Sequence, residues 1–187
     1  VQAAMIGVRH LTVVDADNVE RSNLTRLTLP FTAVGSNKAA ILQNFINRST
    51  WRSRLDTFDV RVYNHTIQTA TGLGNPDVII DTTDSIEAQQ FTYDLAERLH
   101  ALYIRVGYDG GWHVTVSSRR SPPWELEQQQ GYRVPAWVGG AQFAATLAIT
   151  KMCHMPRLEC SFDIREVLQS RHDPLLELND EAYMQAP

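Results

Sequence analysis

The sequence predicts an α/β fold, a mostly parallel sheet flanked by helices with an antiparallel edge, and three observations carry that prediction. Short apolar runs alternate with segments of helical periodicity along most of the chain. Two of those runs, residues 11–16 and 77–82, place an Asp near their carboxyl ends, where a parallel strand covered on both faces opens on a site. Only a short turn separates the runs at 101–106 and 112–117, too little chain for a crossover helix, so that pair is expected to be antiparallel.

The elements follow in order. Residues 1–8 read as the end of a helix, and residues 11–16 as the first strand. From 36 to 48 the apolar positions Ile41, Leu42, Phe45 and Ile46 recur at helical spacing, after a Gly35, Ser36, Asn37 approach that offers capping side chains. Residues 57–63 form a second strand and 77–82 a third. Ile86, Phe91, Leu95 and Leu99 lie on one stripe of a helix over 85–100, a crossover leading into the strand at 101–106. Residues 107–111 make a turn, 112–117 alternate with period two, and 118–132, polar with Pro122 and Pro123, are a loop. Residues 141–152 are apolar almost all round, the pattern of a buried helix. A short strand or helix is expected within 162–170 and a loosely held tail over 171–187.

Composition narrows the functional classes. The 187-residue chain has 43% hydrophobic and 20% charged residues, which suits one domain with a real core and excludes disorder, collagen and coiled coil for the whole chain. Seventeen Lys and Arg against 21 Asp and Glu give a formal charge of -4. That balance does not suit a grip on a phosphate backbone, so nucleic acid is not an expected partner. The longest stretch without a charged side chain, 134–150, has 17 residues and contains Pro135, Gly139 and Gly140, too short and broken for a bilayer span. Cys153 and Cys160 are too few for a disulfide framework and suit a reducing compartment, so a cytoplasmic location is expected.

The chemistry-bearing residues fall at the ends of strands and the head of a helix. Asp15 and Asp17 follow the first strand, and Asp81 and Asp84 follow the third. Between them lie Asn23, Arg26 and Lys38. Each alone would be a solvated loop residue. In this order they read as a nucleotide site: a carboxylate after a strand suits ribose hydroxyls, Arg and Lys suit phosphates, and a further Asp suits Mg²⁺ shared with phosphate oxygens.

The run LTVVDADNVERSNLTR at 11–26, followed by VGSNK at 34–38 and DVIIDTTD at 77–84, resembles the adenylation domain of E1-type activating enzymes. These are the ThiF/MoeB-like proteins that adenylate the C-terminal glycine of a ubiquitin-like or sulfur-carrier protein. The resemblance runs from about Gly7 to near Lys151, and residues 107–117 are similar to the family's turn and strand after its fourth parallel strand. It implies a Rossmann-like fold, ATP and Mg²⁺ as cofactors, a carrier protein with a C-terminal glycine as partner, and a homodimer. It also implies roles. Asp15 would accept hydrogen bonds from the ribose, Asn23 and Arg26 would face the phosphates, Lys38 would balance charge as pyrophosphate leaves, and Asp84 would be the Mg²⁺ carboxylate. Arg26, Lys38 and Asp84 are thus the implied catalytic residues, while Asp17 is expected to support the turn. Residues 1–8 resemble the end of the family's first helix. A first strand and Gly-rich phosphate loop are therefore expected upstream of Val1, with an adenylation domain over 1–160 and a C-terminal extension over 161–187.

The chain departs from the family pattern in places. Leu27 stands where the family has Gln, Ser85 where it has Asn, and Gln89 where it has Arg. The Cys-x-x-Cys pairs of many members are missing, and Cys153, His154 and Cys160 do not make a tetrahedral zinc set. No cysteine lies within 118–140, where many members carry a nucleophile. Adenylation without a covalent enzyme intermediate is the expected chemistry. A catalytically weakened binding or dimerisation subunit is the alternative that the three substitutions motivate. A dehydrogenase, with Asp15 on an NAD ribose, accommodates Arg26 and Lys38 less well. The six histidines show no metal-binding spacing, and Trp112, Trp124 and Trp137 suit either a partner groove or core packing.

Overall fold

The computed structural model describes residues 1–25, 29–48, 59–108, 113–120, 138–154 and 159–164. Helix α1 (Gln2–Met5) leads into strand β1 (His10–Val14), and helix α2 (Lys38–Arg48) leads to strand β2 (Asp59–Tyr63). The two strands pair in parallel, Leu11 opposite Val60 and Val13 opposite Val62. Two short 3₁₀ turns, Arg21–Thr25 and Phe31–Ala33, occupy the connection before α2 and were not foreseen from periodicity. Ala4, Ile46 and Val60 form the buried centre of this half, with Leu11, Leu42 and Val62 packed around them.

A second sheet holds the rest. Strand β3 (Val78–Asp81), helix α3 (Ile86–Leu99) and strand β4 (Leu102–Tyr108) make a parallel crossover unit, with Ile79 opposite Tyr103 and Asp81 opposite Arg105. Strand β5 (His113–Ser117) runs antiparallel to β4, as the short connection demanded, and β6 (Cys160–Asp163) runs antiparallel to β5. Strand β6 crosses residue 160, where the sequence suggests a division between domain and extension. Helix α4 (Val138–Cys153) begins three residues before its expected start at 141 and packs on β4 and β5.

Strand alternation sorts the side chains of β4. Ile104 and Val106 point to the α4 side, where they join Val114, Val116, Ala144, Ala148 and Ile164 in the main core. Tyr103 and Arg105 point the other way, and both reach residues of α3. Helix α4 is not buried all round. Ala144, Ala148 and Lys151 face inward, while Gln142 and Thr146 are exposed. The hydroxyls of Thr146 and Thr150 donate to the carbonyls of Gln142 and Thr146. This bonding to the preceding turn lets hydroxyls sit on an otherwise apolar helix. Gln2 of α1 donates to the Thr146 hydroxyl at 3.2 Å and ties the first half of the chain to this helix. Helix α3 ends at His100, whose φ of 54° and ψ of 33° are left-handed, and its N–H and that of Ala101 take up carbonyls of the last turn. Residues 121–132 of the loop expected at 118–132, and residues 171–187, where a tail is expected, lie outside the described residues.

Candidate functional site

The first part of the site lies beyond the carboxyl end of β1. The N–H of Asp15 still bonds to the Tyr63 carbonyl, and then the chain turns, with Asp15 Oδ1 accepting from the Asp17 N–H at 2.9 Å. Residues 17–19 run beside 35–38. Val19 and Gly35 bond through Val19 N–H to Ser36 O and Gly35 N–H to Val19 O, both at 2.8 Å, and Lys38 N–H bonds to Asp17 O at 2.9 Å. Gly35 has a φ of 89°, a left-handed conformation that a side chain would strain.

Asn37 is the hub of this turn. Its Oδ1 accepts from Ala40 N–H at 3.0 Å and caps α2. Its Nδ2 lies 2.8 Å from the Asp15 carbonyl, 3.1 Å from the Asp17 carbonyl and 2.9 Å from Oδ1 of Asn64, beyond β2. One side chain thus joins the ends of both strands to the helix that connects them. The capping function was legible in the sequence, but the reach to Asn64 was not.

Lys38, in the first turn of α2, places Nζ 2.8 Å from Oδ2 of Asp17, with side-chain exposures of 27% and 72%. An ion pair so open to solvent is worth about 0–1 kcal/mol. Lys38 can therefore exchange Asp17 for a phosphate at small cost. Asp17 supports the turn and the lysine together. Asn23 is 5% exposed, and its Oδ1 accepts from Glu20 N–H at 3.0 Å, closing its own 3₁₀ turn. Arg26 lies outside the described residues. Nearby, the Arg21 guanidinium stands 5.1 Å over the ring of Phe31.

The second part lies beyond β3. Asp81 is 2% exposed, and both of its oxygens are engaged. Oδ2 accepts from the Tyr103 hydroxyl at 2.9 Å, and Oδ1 accepts from Thr83 N–H at 2.9 Å and Thr83 Oγ1 at 2.8 Å. Burial, together with the charge of Asp81, pushes the Tyr103 hydroxyl far above its usual pKa, so it remains a donor. Gln89 donates through Nε2 to the Thr83 carbonyl at 2.7 Å and accepts from Arg105 Nη1 at 3.4 Å. Asp84 is exposed, and its carboxylate has no hydrogen bond or ion pair with a described residue. Ser85 caps α3 by accepting from Ala88 N–H at 3.3 Å.

Both residues that depart from the family pattern beside Asp84 therefore have structural work. Ser85 begins the helix, and Gln89 holds the turn. Asp81, Tyr103 and Arg105 were not singled out as a unit in the sequence. The available signal was a Tyr and an Arg on one face of an otherwise apolar strand.

Burial raises the pKa of the Cys160 thiol, and Cys153 is exposed; both are free. Among the described residues no group of three or more His, Cys, Asp and Glu is placed to hold a metal ion, and no helix is long and apolar enough to cross a membrane.

The sequence profile of the ThiF family matches residues 2–122. Solved structures of MccB share the fold. E. coli MccB with MccA-N7isoASN superposes with a TM-score of 0.62 at 15% identity, over 80% of this chain and 51% of that one. E. coli MccB with ATP gives 0.59 at 17% identity, over 80% and 50%. The microcin C7 biosynthetic enzyme MccB in complex with N-formylated MccA gives 0.61 at 14% identity, over 80% and 52%. The chain spans about half the length of each. No curated protein matches its sequence. The arrangement of parallel strands flanked by helices, with an antiparallel edge, is the Rossmann-like α/β fold of this group.

Proposed function

Because the chain belongs to the ThiF family, we propose that it serves ATP-dependent adenylation of the C-terminal carboxylate of a ubiquitin-like or sulfur-carrier protein. A carboxylate oxygen of the carrier attacks the α-phosphorus, an acyl-adenylate forms, and pyrophosphate leaves. The step needs positioning and charge neutralisation rather than a side-chain nucleophile. That suits a chain with no cysteine between 118 and 140 and a Cys160 whose thiol burial keeps protonated.

The observation that carries the reading is Asp84, an exposed carboxylate without a partner among the described residues, on a turn whose other acid is fully engaged. A hard divalent cation bound by one carboxylate and by substrate phosphates calls for such a group, so Asp84 fits Mg²⁺. Bound there with ATP, Mg²⁺ would neutralise charge on the departing pyrophosphate. In this reading Asp15 accepts from the ribose, Asn23 and Arg26 face the phosphates, and Lys38 balances charge as pyrophosphate leaves. A homodimer in the cytoplasm is part of the same proposal.

The test is ATP–pyrophosphate exchange with carriers ending in Gly-Gly. Exchange that disappears in Asp84→Ala is expected; no exchange with the cognate carrier would overturn the reading. A second reading, a binding subunit without chemistry, draws support from Asn23, which is buried and engaged within its own turn. It predicts carrier binding with no exchange.

A further inference from the structure

Asp81 is a buried carboxylate that the proposed reaction does not use. A buried carboxylate costs several kcal/mol unless donors surround it, so its donors indicate what it is held for. One oxygen takes the Tyr103 hydroxyl, from the neighbouring strand, at 2.9 Å. The other takes both the N–H and the hydroxyl of Thr83. Tyr103 is itself fixed by an edge-to-face contact with Tyr93 of α3, with ring centroids 5.2 Å apart at 81°. The remaining polar group of Thr83, its carbonyl, accepts from Gln89 at 2.7 Å. Thr83 is exposed, yet its N–H, hydroxyl and carbonyl are all held. On the other side, Ser85 is held as the cap of α3. Asp84 is the single residue between these two anchored neighbours.

We propose that Asp81, held by Tyr103 and assisted by Gln89, is a positioning residue that sets the direction of the Asp84 carboxylate toward the divalent cation of the bound nucleotide. The inference rests on the reading of Asp84 as the Mg²⁺ carboxylate. A carboxylate on a fixed turn presents its oxygens without first losing conformational freedom, whereas the same carboxylate on a free loop would lose that freedom on each binding event. Groups that orient a metal ligand without touching the metal typically change affinity by about 10–100-fold when removed. Burial and the neighbouring charge of Asp81 hold the Tyr103 hydroxyl far above its usual pKa, so it stays a donor to Asp81.

The experiment measures Mn²⁺ binding by electron paramagnetic resonance in the presence of a non-hydrolysable ATP analogue, on the full-length protein. Wild type is compared with Tyr103→Phe, Thr83→Val and Asp84→Ala. The apparent Mg²⁺ requirement and the KM for ATP in the exchange assay are recorded alongside. Thr83→Val removes one donor to Asp81 from an exposed position and leaves the core intact, which keeps the test usable should Tyr103→Phe lower stability. Both variants are expected to bind Mn²⁺ about tenfold more weakly, with a matching rise in the Mg²⁺ requirement and little change in kcat at saturating metal. Wild-type binding that is lost in Asp84→Ala but unchanged in Tyr103→Phe and Thr83→Val overturns this inference alone. No Mn²⁺ binding by wild type, or binding that persists in Asp84→Ala, overturns the reading of Asp84 and this inference with it.

Discussion

The ammonium of Lys151 is completely buried at the inner face of α4 and lies 3.0 Å from Oε1 of Glu159, which is itself 31% exposed. Glu159 also accepts from Ser118 N–H at 2.8 Å, so a single carboxylate ties the C-terminal end of α4 to the end of β5. Removing the carboxylate takes its counter-charge from a fully buried ammonium, while replacing the buried member by an apolar side chain removes the buried charge itself. Glu159→Gln is therefore expected to cost on the order of 3 kcal/mol, and Lys151→Met clearly less. Urea denaturation of the two variants checks the order.

The same pair sets an acid limit. Burial pushes the Glu159 carboxyl up, but hydrogen bonds from Ser117, Ser118 and Lys151 and the lysine's charge outweigh it, and the net pKa lies below the ordinary 4.5. A carboxyl with a depressed folded pKa stabilises the fold above its unfolded value, and that stability is lost as pH falls through the folded value. Wild type should lose stability below about pH 4.5 more steeply than Glu159→Gln, as read by denaturation midpoints across that range.

Asn37 caps α2 and also bridges three loop acceptors. Asn37→Ala should cost about 2 kcal/mol, from the lost cap and the lost hydrogen bonds to the Asp15 carbonyl and to Asn64. Asn37→Ser should recover only the cap, about 1 kcal/mol. Chemical denaturation separates the two contributions.

Lys38 distinguishes stability from chemistry. Its partner Asp17 is 72% exposed, so Lys38→Ala should change stability by less than about 1 kcal/mol. ATP–pyrophosphate exchange in the same variant should fall about a hundredfold, the cost of removing a charge from a developing anion. A parallel loss of both would make Lys38 structural.

His100 is a non-glycine residue at φ 54°. A left-handed backbone costs an L-residue roughly 1–2 kcal/mol that glycine avoids. His100→Gly should raise the melting temperature, a gain measurable by calorimetry.

The order of elements was legible because it rests on local periodicity. Alternation in β5, the stripe of α3 and the short connection between β4 and β5 each specify a conformation within about a dozen residues. The cap at Asn37 was visible for the same reason. Less local features were harder to read. The apolar run of α4 concealed a one-sided helix, because hydroxyls that bond to their own preceding turn are not distinguished from buried groups by hydropathy.

By itself, the sequence determined the alternation of strand and helix, the antiparallel edge and the placing of carboxylates after two strands. Residue type and spacing alone did not distinguish Asp81 from Asp84, two acids three residues apart in one motif; only the family resemblance singled out Asp84. The tertiary structure made that distinction by bringing the Tyr103 hydroxyl, 22 residues away in the chain, onto Asp81 through the parallel pairing of β3 and β4. The role of a carboxylate depends on the donors around it, and donors from another strand arrive only when the sheet forms. The same holds for Lys151, whose buried ammonium meets Glu159, carried beside it just before β6.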